Sequence, residues 1–461
     1  PRQSFAFATD AHSLKLVVTG APVTLVWSGS AGDWDVAATA AWKNGANPDV
    51  YYDADAVRFD DSATSGAVNL AAAVSPRSVT VDNTTRAFSL GGAAISGASS
   101  LLKSGAGTLT LNSANAHTGG TVLNAGILQL GNSTANAGAL GGGAVTLNGG
   151  TLKMYSAGQA THAGTLPNAL RVDGAGTLEV AARCGFSGNV SGAGTLNYRT
   201  GYVRADVTGN WGAFTGQLNV TTGGAGEFRI AASYTWPGLP QAAVNLASGT
   251  SLYMSGTLNS GAGTFISIGT LAGAAGSHLR GGPTGDRTLT YRIGGRGGDA
   301  VFSGNITEQN TSTATNIIKQ GPGVWSLGGS CTHRGQTVVE AGTLCLLATG
   351  SLVNTSSLDV RAGATLCLDG GRVDVESLTV GEGAFFTCSG GSVTADLSNS
   401  GILSVTGGTL QLTGDVTNTG TLRVSGGAAL QVSGVFTNNG LLDLLTGVSG
   451  LPSEFVNNGV V

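Results

Sequence analysis

Short stretches of alternating hydrophobic and polar residues, each entered through glycine, run along most of the chain. The clearest copies of this unit, Gly-Ala-Gly-Thr followed by alternating residues, stand at Gly105–Leu111, Gly174–Val180, Gly192–Tyr198 and Gly261–Ser267. Alternation with a period of two is typical of a half-buried strand, and glycine permits the tight turn before it. The pattern predicts many strands of about five residues each.

Two longer segments are copies of one module. Residues 101–130 align without a gap on residues 317–346, and the shared positions include Lys103/Lys319, His117/His333 and Thr121/Thr337. A module used twice indicates a repeat architecture, in which each unit buries its apolar face against its neighbours.

The last sixty residues have the most regular period. Asn-x-Gly occurs at Asn399–Gly401, Asn418–Gly420, Asn438–Gly440 and Asn457–Gly459, so the glycines are spaced by 19, 20 and 19 residues. This spacing is typical of one coil of a β-solenoid. We expect the asparagines to stack and hydrogen-bond from coil to coil.

Corners between short strands need residues that tolerate positive φ, and Asn and Gly do so at the least cost. We therefore predict corner positions at Gly105, Gly107, Gly321, Gly323, Asn418, Gly420, Asn438 and Gly440. On the strands between corners, we expect Leu109, Leu111, Val122, Leu128 and Leu130 to fill the core.

Composition supports an all-β fold and excludes several classes of protein. The chain has 77 glycines, 41% hydrophobic residues and only 10% charged residues, which is too apolar for a disordered chain. The net charge is −4 and no basic run occurs, so nucleic acid is not an expected partner. No apolar stretch is long enough for a membrane helix, so we do not expect a membrane-embedded protein.

Four segments differ in character. Residues 1–64 hold three of the six tryptophans and are predicted to form an N-terminal cap and an inter-subunit strand. Residues 65–199 are predicted to be solenoid with the first full repeat, residues 200–240 looser coils or an insertion, and residues 241–461 solenoid with the second repeat.

The two long copies resemble the autotransporter-associated β-strand repeat, also called the passenger-associated transport repeat, of secreted bacterial proteins. The residues that carry the resemblance are Gly105–Asn132 and, more divergently, Gly321–Leu347. The resemblance implies a right-handed parallel β-helix on the bacterial cell surface or outside the cell. Such proteins act as adhesins, structural rods or stalks for catalytic domains.

Candidate metal ligands are few. Gly294–Phe302 matches the calcium-binding nonapeptide pattern with Asp299 as the carboxylate, but that site needs tandem copies and this is one copy. The aspartates of the N-terminal segment are interpreted as solvated loop residues; they are Asp49, Asp53, Asp55, Asp60 and Asp61. We predict no cofactor and no resident metal.

Histidine and cysteine positions favour structural roles. His117 and His333 occupy one position of the module, so packing is preferred over catalysis. Cys345, Cys367 and Cys388 are spaced by 22 and 21 residues, close to one coil. A disulfide between neighbours and a ladder of buried thiols are both consistent with that spacing.

We expect an extracellular, non-enzymatic β-solenoid that forms or extends a surface fibre by head-to-tail stacking, with polysaccharide or a host or cell surface as further partners. The sequence stops within its repeating pattern, so we expect the last coil to present an edge that either further sequence or another subunit covers. The apolar residues predicted to form the inter-subunit strand are Phe5, Phe7, Leu14, Leu16 and Val18.

Two alternatives remain open at this point. One is a polysaccharide lyase or hydrolase, whose candidate residues are Arg199, Tyr202, Arg204 and Asp206. The other is a carbohydrate-binding stalk of a larger enzyme, with a sugar-stacking surface formed from Trp27, Trp34, Trp42, Trp211, Tyr234 and Trp236. Core packing is the preferred interpretation of these aromatic residues.

Overall fold

A computed structural model describes most of the chain. The described residues are 2–29, 32–131, 138–154, 164–181, 183–201, 206–224, 226–231, 236–255, 264–281, 288–309, 314–445 and 454–461. Over these residues the secondary structure consists of strands and turns without a helix. Accordingly, no helix in this part of the chain could cross a membrane.

The chain forms two compact units, residues 1–205 (unit 1) and residues 206–461 (unit 2). The division falls inside the segment 200–240 that the sequence marks as irregular. The three predicted boundaries between the four segments stay predictions.

Unit 1 is built from short strands. They are β1 (Ser4–Thr9), β2 (Leu14–Thr19), β3 (Thr24–Trp27), β4 (Asp33–Trp34), β5 (Trp42–Asn44), β6 (Asn47–Asp49), β7 (Ala56–Asp60), β8 (Ala67–Leu70), β9 (Ser78–Asp82), β10 (Phe88–Gly92), β11 (Ser100–Ser104), β12 (Thr108–Leu111), β13 (Thr121–Leu123), β14 (Ile127–Leu130), β15 (Val145–Leu147), β16 (Thr151–Met154), β17 (Thr165–Leu166), β18 (Leu170–Val172), β19 (Ala175–Val180), β20 (Gly185–Phe186), β21 (Val190–Gly192) and β22 (Thr195–Thr200).

Most of these strands alternate between two parallel ladders. One ladder runs β3, β7, β9, β11, β13, β15, β18 and β21. The other runs β4, β8, β10, β12, β14, β16, β19 and β22. Because successive strands of the chain belong to different ladders, each circuit of the chain lies on the previous one as a coil.

Unit 2 begins with short strands and continues with some much longer ones. They are β23 (Asp206–Val207), β24 (Ala213–Phe214), β25 (Gln217–Thr222), β26 (Glu227–Ile230), β27 (Gly238–Leu246), β28 (Ser251–Met254), β29 (Thr264–Gly273), β30 (His278–Arg280), β31 (Leu289–Ile293), β32 (Ala300–Phe302), β33 (Asn305–Thr307), β34 (Thr315–Lys319), β35 (Val324–Leu327), β36 (Ser330–Cys331), β37 (Thr337–Val339), β38 (Thr343–Leu347), β39 (Ser351–Val360), β40 (Thr365–Val380), β41 (Phe385–Asn399), β42 (Ile402–Val405), β43 (Thr409–Thr413), β44 (Val416–Asn418), β45 (Thr421–Val424), β46 (Ala429–Val432), β47 (Phe436–Asn438), β48 (Leu441–Leu444) and β49 (Phe455–Asn457).

Three parallel ladders form the faces of unit 2. The long strand β40 turns two corners and pairs with β41 at residues 365–369, 372–374 and 377–380, once in each ladder. Beyond it, β42, β45 and β48 continue one ladder, β43 and β46 the second, and β44, β47 and β49 the third. The prediction of an all-β parallel solenoid is confirmed.

The core follows the alternation of the strands. Leu109, Leu111, Leu128 and Leu130 are buried as predicted, and each contributes about 1.5–3 kcal/mol by leaving water. The prediction for Val122 is wrong, because Val122 is half-buried on the outer side of β13 between two buried residues. Those residues are Thr121 and Leu123. The polar Thr therefore occupies the inward position that an apolar residue was expected to fill.

The asparagines of the last coils form a hydrogen-bonded ladder, as predicted, and its first three members are buried. Asn399, Asn418, Asn438 and Asn457 are register partners in successive coils. Each of the first three donates a side-chain N–H to the amide oxygen of the next at 2.7 Å. The second N–H of Asn418 donates to the carbonyl of Leu441 at 3.1 Å, so both of its donors are used inside the protein.

The corner residues were expected to adopt positive φ, and only some of them do so. Gly105 and Gly321 have φ of 72° and 71°, as expected for corners that turn through the left-handed region. By contrast, Gly107, Gly323, Gly420 and Gly440 and the asparagines Asn418 and Asn438 are not among the residues with positive φ.

Close approach of neighbouring coils explains the other corner glycines. A Cβ at Gly420 would overlap the carbonyl oxygen of Gly401 in the preceding coil, and one at Gly440 would overlap the oxygen of Gly420. Gly107 and Gly323 are similarly confined by Asn83 and by Gly298. These glycines are required by the separation of the coils rather than by their own backbone angles.

An aromatic cluster closes the N-terminal part of unit 1. Trp27, Trp34, Trp42, Tyr51 and Phe59 are buried, and several of the rings meet edge to face. Trp27 and Trp42 have ring centroids 5.0 Å apart, on the antiparallel strands β3 and β5. Core packing of these residues is confirmed, and their rings are closed to a sugar ligand.

The buried asparagine ladder predicts a large cost for one substitution. Asn418→Val, which copies Val380 of the same column, should lower the free energy of unfolding by roughly 2–4 kcal/mol, because it leaves Asn438 and the Leu441 carbonyl without their donors. Denaturant unfolding followed by circular dichroism measures the loss. The matched control is Asn439→Val on the exposed side, which should change stability by less than about 0.5 kcal/mol; equal effects of the two variants would contradict the ladder's role.

Candidate functional site

A buried lysine holds the corner of each long repeat. Lys103 is fully buried at the end of β11, and its ammonium group donates to the carbonyl oxygens of Ser104, Gly105 and Ala125 at 2.5, 2.8 and 3.3 Å. Ala125 belongs to the next coil, so one side chain joins two successive corners. Burial lowers the pKa of Lys103 to about 8.

The second copy reproduces this arrangement. The Lys319 ammonium donates to the carbonyls of Gln320, Gly321 and Ala341 at 3.1, 2.8 and 2.9 Å, and burial again lowers its pKa to about 8. Lys319 also lies in the same inward column of unit 2 as the asparagine ladder. That column continues through Val339, Val360, Val380, Asn399, Asn418, Asn438 and Asn457.

The repeated histidines are buried packing residues, as the sequence analysis preferred. His333 Nε2 lies 2.8 Å from Thr337 Oγ1 within the second copy, and burial lowers the pKa of His333 to about 4. His117 is equally inaccessible, and burial lowers its pKa as well. Both imidazoles are therefore neutral at physiological pH.

The family comparison agrees with these two segments. The model of the passenger-associated-transport-repeat matches residues 101–130 and 317–345. Two segments of the chain are therefore similar to this repeat. A comparison with curated proteins finds no match. Because the repeat is that of transported passengers, the match indicates a secreted or surface-exposed protein.

At the end of the second matched segment, two of the three cysteines considered in the sequence analysis meet. Cys345 and Cys367 are register partners on β38 and β40 with Cα atoms 4.3 Å apart, and they form a disulfide. Cys388 is not part of this pair: Cys367 lies opposite Thr387, and Cys388 is one residue further along. A shift of one residue turns a side chain to the other face of a strand, and Cys388 is accordingly buried in the core.

Asp299 has a structural partner in β35, which lies within the second matched segment. Its carboxylate accepts a hydrogen bond from the backbone N–H of Val324 at 2.8 Å. Within the described ranges, no three His, Cys, Asp or Glu side chains are grouped so as to hold a metal ion.

The N-terminal aspartates were interpreted as solvated, and that interpretation is wrong for Asp55. Its side chain is fully buried and accepts hydrogen bonds from Arg2 Nε at 2.8 Å and from the backbone of Val23 and Tyr52. Arg2 also forms an ion pair with Asp49 at 3.0 Å. These contacts anchor the start of the chain to the N-terminal part of unit 1.

The residues considered for a lyase are engaged in ion pairs where the structure describes them. Arg199 pairs with Glu179 of the adjacent coil at 3.4 Å, and Asp206 pairs with Arg229 at 2.8 Å. Tyr202 and Arg204 lie outside the described residues. Among the other aromatic residues considered for sugar stacking, Trp211 and Trp236 are buried and Tyr234 lies outside the described residues.

An open groove of about 910 Å³ runs along one face of unit 2 and includes Glu308, Asn354 and Asp374 among its lining residues. Both oxygens of Glu308 are used locally, because they accept from the backbone and hydroxyl of Thr315 and from the backbone of Arg334. Asp374 forms an ion pair with Arg372. These two acidic side chains thus stabilise the walls of the groove.

The predicted inter-subunit strand is an exposed hairpin. Strands β1 and β2 pair in antiparallel register, with Phe5 opposite Val18, Phe7 opposite Leu16, and Thr9 opposite Leu14. Side chains directly opposite each other share a face, as do alternate residues along a strand. All five predicted apolar residues therefore lie on one face, and Phe7 and Leu14 are 75% and 67% exposed.

The opposite face of the hairpin is small and more polar, with Ala6 opposite Val17 and Ala8 opposite Lys15. The turn between the strands is stabilised by Asp10, which accepts from the backbone of His12 and Ser13 and pairs with Lys15 at 2.8 Å. An isolated two-stranded hairpin is marginally stable in water. This hairpin presents an apolar face that no described element covers.

The lysine corner predicts a specific loss of stability. Lys319→Met should lower the free energy of unfolding by roughly 2–4 kcal/mol, since the apolar chain keeps its volume but leaves three backbone carbonyls without a donor. Unfolding in guanidinium chloride at pH 7 measures the change, with the exposed Lys43→Met as control. If the Lys319→Met variant is as stable as the parent protein, burying the ammonium costs as much as its hydrogen bonds contribute, and the stabilising role of this corner is refuted.

Burial of His333 predicts a pH dependence. The folded chain protonates this imidazole near pH 4 and the unfolded chain near 6.5, so the unfolded state binds more protons between these values and stability falls as pH decreases through them, by about 3 kcal/mol. His333→Leu should remove this part of the acid destabilisation. Unfolding midpoints at pH 7 and pH 4.5 test it against His12→Leu, an exposed control; parallel losses in both variants would exclude the role of His333.

Proposed function

We propose that this protein is an extracellular, non-catalytic β-solenoid that associates head to tail with further copies of itself into a surface fibre, using the N-terminal hairpin as its contact. The exposed apolar face formed by β1 and β2 is the observation that carries the proposal. A contiguous exposed patch of large apolar side chains on a protein surface usually marks an interaction site.

The location outside the cell has two supports. The passenger-associated-transport-repeat occurs twice, and Cys345 and Cys367 form a disulfide. Disulfides persist in the oxidising space outside the cytosol and are rare inside it. A solenoid also suits a role that depends on reach, since each coil rests only on its neighbours and coils can be added without changing the fold.

The hairpin is suited to contact another copy because its base is fixed by ion pairs while its apolar face is exposed. Arg2 fixes its base through Asp49 and Asp55, while the apolar side chains of both strands remain accessible. Transferring one such side chain from water into an interface contributes about 1.5–3 kcal/mol. Surfaces of the solenoid outside this contact would remain free for adhesion.

The catalytic alternative has no specific observation in its favour. The described members of its candidate set, Arg199 and Asp206, are each bound to an opposite charge on an adjacent coil. A general base must be able to reach a substrate proton. Arg199 and Asp206 are instead held in their ion pairs.

The contact predicts that assembly depends on one face of the hairpin. Phe7→Thr combined with Leu16→Thr, which copies Thr9 of the same face, should keep the fold and abolish self-association up to concentrations about tenfold above those at which the parent chain assembles. Sedimentation velocity over a range of concentrations measures this.

The matched control changes the opposite face through Ala6→Thr and Val17→Thr, a register pair of the same hairpin. This control should assemble as the parent chain does. Unchanged assembly of the Phe7/Leu16 variant, or a parent chain that stays monomeric at high concentration, would refute the proposed contact.

A further inference from the structure

A second exposed apolar surface lies on unit 2, in a single column of outward-facing residues. Successive register partners along this column are Thr365, Phe385, Ile402, Thr421, Leu441 and Val460. Phe385, Ile402 and Leu441 are 40%, 43% and 38% exposed. We call the surface formed by Phe385, Ile402, Leu441 and Val460 the apolar column.

The neighbouring outward column, two residues further along each strand, has a different character. Its members are Cys367, Thr387, Ser404, Arg423 and Asp443. Outward positions of a solenoid normally carry such polar or small side chains, because they face water. Large apolar residues repeated on one line, with strands about 4.8 Å apart, form a continuous strip rather than isolated exposed residues.

We infer that the apolar column is the docking site for the N-terminal hairpin of a second copy of this chain. The inference rests on the proposed function, since it supplies the partner surface for the hairpin contact. A single contact between the hairpin of one copy and the column of another removes both exposed apolar surfaces from water. A contact between two hairpins would leave the column in water.

The dimensions of the two surfaces agree. Three steps between neighbouring strands separate Phe385 from Leu441, a distance of about 14 Å. Leu14 and Val18 are four residues apart on β2, which also corresponds to about 14 Å. Between Ile402 and Leu441 the line of register partners includes the smaller Thr421. The smaller side chain leaves a shallow depression that can accommodate an aromatic ring of the hairpin.

Charges do not oppose the contact. The column is bordered by Arg423, which pairs with Asp443 at 2.8 Å, and the hairpin by Lys15, which pairs with Asp10 at 2.8 Å. Both borders are therefore locally neutral, and docking buries no unpaired charge.

The apolar area of the contact corresponds to the small end of the range for specific interfaces. Aromatic side chains bury about 150–250 Å² each when covered. With the exposures of the hairpin and column residues, the contact removes on the order of 1,000 Å² of apolar surface, near the lower bound for a specific interface. A contact between different surfaces of identical chains is heterologous, and its repetition produces a filament when the rotation between copies does not close a ring.

A mixing experiment with full-length chains tests the inference. The column variant carries Ile402→Thr and Leu441→Thr, which copy Thr421, and the hairpin variant carries Phe7→Thr and Leu16→Thr. Each variant alone should be monomeric in sedimentation velocity at concentrations where the parent chain assembles. An equimolar mixture should form dimers and stop there, because only one intact hairpin meets one intact column.

Val301→Thr is the matched control, since Val301 is an exposed valine of unit 2 outside the column, and it should assemble normally. Circular dichroism and unfolding midpoints establish that the variants fold. A column variant that assembles as the parent does, or a mixture that remains monomeric, would overturn the docking site while leaving the hairpin contact of the proposed function intact. Normal assembly of the hairpin variant would instead refute the proposed function.

Discussion

The fold depends on how the corners of stacked coils satisfy their backbone carbonyls. Coils separated by a strand spacing of about 4.8 Å leave no room for water between them, and a buried carbonyl without a donor costs about 1–3 kcal/mol. Two kinds of side chain solve the problem here. Lys103 and Lys319 each bind three carbonyls at a corner, and the asparagine ladder donates both to itself and to backbone.

The close separation of neighbouring coils also explains which features could be predicted from the sequence. The regular recurrence of Asn399, Asn418 and Asn438 gave a correct period and a correct hydrogen-bonded ladder. The corner glycines were also found, but the cause at Gly420 and Gly440 is the carbonyl of the preceding coil. Local conformational preference and contact with a neighbouring coil select the same residue, so the sequence alone cannot separate the two reasons.

Predictions failed where strand register decides the outcome. Val122 was assigned to the core on hydrophobicity, although β13 turns the neighbouring Thr121 and Leu123 inward. Cys388 was grouped with Cys345 and Cys367 on a spacing that differs by one residue from the register of the coils. The buried lysines were visible as identities between the copies, but nothing in the sequence showed that they point inward. The apolar column was not predicted because its members are separated by 17, 39 and 19 residues, and only the pairing of strands aligns them.

Hydrogen–deuterium exchange of the full chain, read by mass spectrometry at a concentration where it is monomeric, tests this account most directly. If buried donors hold the corners, the backbone amides beside Lys103, Lys319 and Asn418 exchange among the slowest in the molecule, and those of β1 and β2 among the fastest. Corner amides that exchange as rapidly as the hairpin would contradict the account, because the coils would then not be held together at their corners.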